Sequence, residues 1–232
     1  LGIPTLIIGL TVVGIGTSAP EMLVSGIAAW EGSPGLAVGN AIGSNITNTG
    51  LVLGMTAVIV PLQVRSGLLK REIPLLLAIM AATYVLVVDG WLARWEGVLL
   101  IAGMGLLLIW MGLQARNSPD KDPITAEFES EIPTELPLHR SLLWLVVGLV
   151  VLLASSRALV WAAVNVAQAL GVSDLVIGLT IVALGTSLPE LAASVASARK
   201  GEHDIAIGNV IGSNMFNLLG VMGVAAAIKP LH

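Results

Sequence analysis

Two glutamates sit where a charge is expensive. Glu21 is the only ionisable side chain between Ile3 and Trp30, and Glu190 is the only one between Leu175 and Ala198. Each closes the same phrase, LTVVGIGTSAPE at Leu10–Glu21 and LTIVALGTSLPE at Leu179–Glu190. Thr17 and Ser18 precede Glu21 by four and three residues, and Thr186 and Ser187 precede Glu190 likewise. On a helix each trio therefore shares a face. Pro20 and Pro189 have no N–H to offer, which frees the carbonyls of Gly16 and Gly185. A second pattern follows each phrase: Asn40, Ser44 and Asn48, then Asn209, Ser213 and Asn217, all spaced by four. Each trio makes a polar stripe, in which Asn40 and Asn209 suit interhelical hydrogen bonding and ion contact equally well. Gly39, Gly43, Gly208 and Gly212 lie between them and read as small residues that let helices approach.

The chemistry of this set is that of hard oxygen: carboxylates, hydroxyls, amides and freed carbonyls, with two formal negative charges. The chain has no cysteine, and His139, His203 and His232 lie outside the two phrases and stripes. Zinc, copper and iron are therefore poor matches. Calcium takes six to eight oxygens at about 2.3–2.6 Å from a flexible set, whereas magnesium demands a stricter octahedron. One divalent or two monovalent cations would neutralise the pair, so the two kinds of ion should compete for one pocket. Two unneutralised carboxylates in low dielectric would oppose a change of side without cargo. Exchange is thereby favoured over leak.

The elements that must position these groups are membrane helices. Of 232 residues 56% are hydrophobic and 11% charged, and mean hydropathy is +0.92, against about 25% charged residues in soluble domains. Seven apolar segments, 3–29, 36–60, 73–90, 95–115, 141–170, 174–198 and 205–228, approach the ~20 residues that cross a bilayer. An unpaired carboxylate at that depth costs at least ~2.5–3.5 kcal/mol and is a functional hypothesis by default. The chain divides into a first half (1–116), a polar, proline-bearing linker (117–140) and a second half (141–232). Leu1 at one end and Lys229-Pro230-Leu231-His232 at the other suggest a piece of a longer protein.

Gly9–Asn48 and Gly178–Asn217, offset by 169 residues, are identical at 20 of 40 positions. These copies head repeats over 9–60 and 178–228. An odd number of spans separates their matching members, so they cross in opposite directions, the arrangement of inverted-repeat transporters. Arg65, Lys70, Arg71, Arg116, Lys121, Arg140, Arg199 and Lys200 fall on one side and Arg94 and Lys229 on the other. The first side is expected to be cytoplasmic, the linker with it. Arg157, inside the fifth span, is open to snorkelling, to pairing with a carboxylate or to facing a cavity. The formal charge of −4 gives no basis for a nucleic-acid partner.

GTSAPE and GTSLPE, followed by GNAIGSNITN and GNVIGSNMFN, resemble the alpha repeats of the sodium/calcium exchangers in the calcium/cation antiporter superfamily, most closely a compact prokaryotic type. The resemblance implies an all-α polytopic fold in a prokaryotic inner membrane and an antiporter, not an enzyme, with no cofactor. Its cargo would be calcium and sodium ions. Glu21 and Glu190 would be the calcium carboxylates, joined by the backbone carbonyls of Thr17 and Thr186. The hydroxyls of Thr17, Ser18, Thr186 and Ser187, with Ser44 and Ser213, would serve sodium. Asn48 and Asn217 would line the middle of the pocket, and carbonyls near Gly14 and Ala183 would cap flanking sites. The family has ten helices in two halves of five, so the first and the last two are missing from this sequence, and the fifth span would be the sliding gate of the second half. Asn217 stands where several relatives carry aspartate, which shifts proton coupling toward the glutamates. A cation/proton antiporter on the same scaffold is the near rival; an ion channel and an intramembrane hydrolase are more distant, the latter lacking a His or Lys base beside its hydroxyls.

Overall fold

A computed structural model gives the fold of residues 14–63, 66–117, 138–201 and 203–231. The first half holds α1 (Gly14–Glu31), α2 (Pro34–Thr47), α3 (Leu53–Ile59), α4 (Ser66–Val87) and α5 (Arg94–Asn117). After it come α6 (Leu138–Leu170), α7 (Asp174–Ile177), α8 (Ala183–Thr186), α9 (Leu188–Arg199), α10 (His203–Phe216) and α11 (Met222–Ile228). The all-α expectation holds. Among the described residues the one extended contact is a bridge in which Leu92 and Leu231 exchange backbone hydrogen bonds of 2.9 and 3.0 Å.

Three helices, Pro34–Ile59, Arg94–Leu113 and Ala206–Ile228, are long and apolar enough to cross a membrane, as is the bent pair Asp174–Thr186 and Leu188–Arg199 taken as one. The other expected spans fall on α1, α4 and α6. Residues 3–13 of the first span, Arg65, and residues 118–137 of the linker, Lys121 included, lie outside the described residues.

The repeat is visible in the turns. Gly32 ends α1 with φ +91°, and Gly201, its counterpart 169 residues on, ends α9 with φ +83°. This left-handed conformation suits glycine because it has no Cβ. Pro34, in the first turn of α2, needs no helical donor there. The polar stripes also share a distortion: Asn48–Val52 and Asn217–Val221 are both wide π-helical turns, and a third covers Gly178–Val182. Such turns concentrate at functional sites, where the widened ladder redirects side chains.

The twin phrases differ in shape. Pro20 lies inside an unbroken α1, whereas the second phrase breaks at Ser187 (φ −86°, ψ 4°), with a 41° bend between α8 and α9. Both prolines remove one helical donor, so the surroundings decide whether the helix bends there.

Apolar burial drives helices together weakly in lipid, so close approach by small residues matters more. The α2 helix crosses α7 and the Gly178–Val182 turn of the opposite repeat. A Cβ on Gly39 would meet the carbonyl of Leu175, one on Gly43 would lie 2.5 Å from that of Leu179, and one on Gly178 would lie 2.6 Å from that of Leu36. The packing reading of Gly39 and Gly43 therefore holds. Gly212 has nothing within 4 Å of such a Cβ and is not a contact point. On the far side α5 meets α11, where a Cβ on Gly97 would lie 2.6 Å from the Ala227 nitrogen.

Candidate ion-binding site

The two glutamates are buried to the same degree, each 1% exposed. Each repeat holds its glutamate through the same local tie. In the first, the Asn40 amide donates to the Glu21 carbonyl (3.2 Å) and to Ser25 Oγ (2.9 Å), and Ser25 Oγ donates to the Ala37 carbonyl (3.3 Å). In the second, Asn209 donates to the Glu190 carbonyl (3.3 Å) and to Ser194 Oγ (3.1 Å), and Ser194 donates to the Ala206 carbonyl (3.4 Å). The amide nitrogens of Asn40 and Asn209 thus serve interhelical hydrogen bonds. Ser25 and Ser194 were absent from the sequence reading, although both recur at the repeat offset.

Other bonds join the repeats. Thr186 Oγ1 donates to Asn40 Oδ1 at 3.1 Å and lies 3.3 Å from the Ala183 carbonyl and 3.4 Å from Ser44 Oγ. The Ala183 carbonyl also accepts from the Ser187 nitrogen at 3.1 Å. Between the two second helices, Asn45 donates to the Asn214 carbonyl (3.3 Å), Asn217 donates to Asn45 Oδ1 (3.0 Å), and Asn214 donates to Thr49 Oγ1 (3.0 Å).

Among the described residues twelve buried side-chain atoms have no hydrogen-bond partner. Ten belong to this cluster: both carboxylate oxygens of Glu21 and of Glu190, the hydroxyls of Ser18 and Ser187, both amide atoms of Asn48, and Oδ1 of Asn214 and Asn217. Buried polar atoms are ordinarily paired, and burying unpaired charge is costlier still. The nine oxygens among them are the donors a hard cation demands, whereas the tenth atom, Asn48 Nδ2, carries hydrogens and cannot ligate one. Ser44 and Ser213 are buried in the same region at 0% and 4% exposed. Gly14 and Thr17 lie on α1, and the Thr17 side chain is outside what the structure describes. No group of three or more His, Cys, Asp or Glu that could hold a metal ion occurs among the described residues, so hydroxyl, amide and carbonyl oxygens must complete any cation shell here.

Arg157 pairs with Glu31, Nε to Oε1 at 3.4 Å, with side chains 78% and 32% exposed. Both border a cavity of about 480 Å³ between α1, α6 and α11, lined by Met22, Trp30 and Val224 among others. Of the three options left open for Arg157, the structure shows pairing beside a cavity.

The family model described as sodium/calcium exchanger protein matches residues 1–113 and 140–232. The chain is 50% identical over 230 residues to the putative antiporter CaxA of Alkalimonas amylolytica, covering 99% of this chain and 72% of that protein. It is 43% identical over 231 residues to the inner membrane protein YrbG of Escherichia coli, covering 99% and 71%. A solved structure of the sodium-calcium exchanger NCX_Mj, soaked with 10 mM Na⁺ and zero Ca²⁺, superposes with a TM-score of 0.64 at 34% identity, covering 99% of this chain and 73% of that one.

Proposed function

Because the chain belongs to the sodium/calcium exchanger family, and so to a group of membrane-embedded cation antiporters, we propose that it exchanges calcium for sodium by alternating access. The observation that carries the proposal is nine unpartnered buried oxygens, four of them those of the two carboxylates, drawn from both inverted repeats. Glu21 and Glu190 hold calcium, with backbone carbonyls of Thr17 and Thr186. The hydroxyls of Thr17, Ser18, Ser44, Thr186, Ser187 and Ser213 serve sodium, Asn48 and Asn217 line the centre, and the Gly14 and Ala183 carbonyls cap the flanks. The chain crosses the membrane repeatedly in two halves, 1–116 and 141–232, with the linker 117–140 in the cytoplasm.

Charge balance is the physical basis of coupling. Calcium alone, or a set of sodium ions, neutralises the two carboxylates, and the unloaded pair resists reorientation because each charge would remain desolvated and unpaired. The test is radiolabelled calcium uptake into vesicles carrying the full-length protein, driven by an opposed sodium gradient. Wild type should accumulate calcium, while Glu21→Gln and Glu190→Gln should not. Uptake driven by a pH gradient and indifferent to sodium would replace the proposal with cation/proton exchange.

A further inference from the structure

Four asparagines, two of them the last members of the stripes, obey the repeat in sequence but not in bonding. Asn45 and Asn48 correspond to Asn214 and Asn217 at the offset of 169 residues. The bond from Asn217 to Asn45 Oδ1 is made at 3.0 Å. Its symmetry mate would run from Asn48 to Asn214 Oδ1, yet Asn48 Nδ2 and Asn214 Oδ1 are both buried and unpartnered. The reason lies at one unmatched position. Thr49 takes the Asn214 amide at 3.0 Å, whereas the counterpart of Thr49 is Leu218, which has no hydroxyl. Asn45, with no such tether, is free to donate to the Asn214 carbonyl and accept from Asn217.

We propose that Asn45 and Asn214 are positioning residues forming a clasp with two alternative closures, Asn217 on Asn45 or Asn48 on Asn214, and that Thr49 biases the choice toward the first. The inference rests on the antiport reading above. In an inverted-repeat carrier the twins are related by a pseudo-two-fold axis in the membrane plane and gate against each other around the fixed site, so an arrangement open to one repeat is open to its twin. A bond made by one repeat, while its mate's donor and acceptor both go unpaired, is the local form of that choice. Each closure fixes one of the two central amides, Asn217 or Asn48, and so the clasp acts through residues that line the pocket.

Removing one hydrogen bond from one closure should move the balance about fivefold. Hydrogen exchange of the purified full-length protein reads that balance without requiring transport. Asn45→Ala opens the closure on Asn217, so exchange of residues 217–221 should quicken and that of residues 48–52 slow, relative to wild type. Asn214→Ala should change the ratio of the two rates in the opposite sense. Thr49→Val, at an exposed position, frees the Asn214 amide and should follow Asn45→Ala; it also carries the test if an asparagine variant fails to fold. In sided vesicles the apparent calcium KM at the two faces should diverge in opposite directions for the two asparagine variants, because apparent affinity scales with the competent fraction. A role in stability alone would move both turns, or both faces, together. Exchange-rate ratios that shift the same way in Asn45→Ala and Asn214→Ala, or do not shift, overturn the clasp. Absence of sodium-driven uptake in wild type overturns the antiport reading and leaves the exchange ratio to decide the clasp.

Discussion

Replacing Asn40 by alanine isolates what the first repeat does for the second. The side chain is 0% exposed and makes three hydrogen bonds, to the Glu21 carbonyl at 3.2 Å, to Ser25 Oγ at 2.9 Å and from Thr186 Oγ1 at 3.1 Å. Among the described residues its counterpart Asn209 makes two, at 3.3 and 3.1 Å; the side chain of Thr17, the repeat mate of Thr186, is not among them. With ~1 kcal/mol net for each bond, Asn40→Ala should cost about 3 kcal/mol before any cavity term. One of the three, from Thr186, joins the repeats. A double-mutant cycle with Thr186→Val should therefore return a coupling of about 1 kcal/mol for Asn40 and near zero for Asn209. Asn40→Asp keeps the acceptor for Thr186 but turns an acceptor toward the Glu21 carbonyl and adds a third carboxylate. It should be less stable than Asn40→Ala. The assay is denaturant unfolding of the full-length protein in detergent, alongside calcium KM in vesicles. No measurable coupling between Asn40→Ala and Thr186→Val would refute the reasoning.

Gly39→Ala places a Cβ against the Leu175 carbonyl; backbone cannot rotate away as a side chain can, so a loss of ~1–3 kcal/mol is expected in the same unfolding assay. Gly212→Ala, which meets nothing within 4 Å, should be neutral or slightly stabilising, as a helical glycine replaced by alanine. Arg157→Gln removes an ion pair whose guanidinium side is largely exposed, so it should change stability by less than ~1 kcal/mol, read by the shift in unfolding midpoint. Ser25→Ala and Ser194→Ala each remove a bond from the asparagine and one to a carbonyl. Their costs should agree within ~0.5 kcal/mol, and a wide disparity would show that the two local ties are not equivalent.

The charged centre of the site was legible because lipid makes an isolated carboxylate conspicuous: Glu21 and Glu190 stand alone in apolar runs, and their repetition gives the architecture. The hydroxyl and amide stripes followed from spacing. Ser25 and Ser194 were not found, since a serine one turn beyond a glutamate has no signature until the asparagine of the next helix arrives opposite it. Asn45 and Asn214 recur in the GSN triplets of both repeats, but helical spacing alone put them off the stripes. The π-helical turns at Asn48 and Asn217 let both faces meet across the repeat boundary. Nor does the sequence distinguish the unbroken α1 from the bend at Ser187, because both phrases carry the same proline. The packing around each phrase, which lies elsewhere in the chain, makes that choice.

The bonds of the site fall into two classes of sequence separation, and this orders its birth. The ties from Asn40 and Asn209 span 15 and 19 residues, whereas those that join the repeats span 142 to 172. A ribosome adding ~5–20 residues per second takes roughly 10–30 s to travel from one glutamate to the other. Throughout that interval the first hairpin resides in the bilayer with the Glu21 backbone already tied by Asn40, itself bonded to Ser25, while the Glu21 carboxylate faces no partner. Nascent chains arrested between the repeats should therefore hold a formed yet unmated half-site, exposed to membrane proteases and chaperones until its twin is inserted.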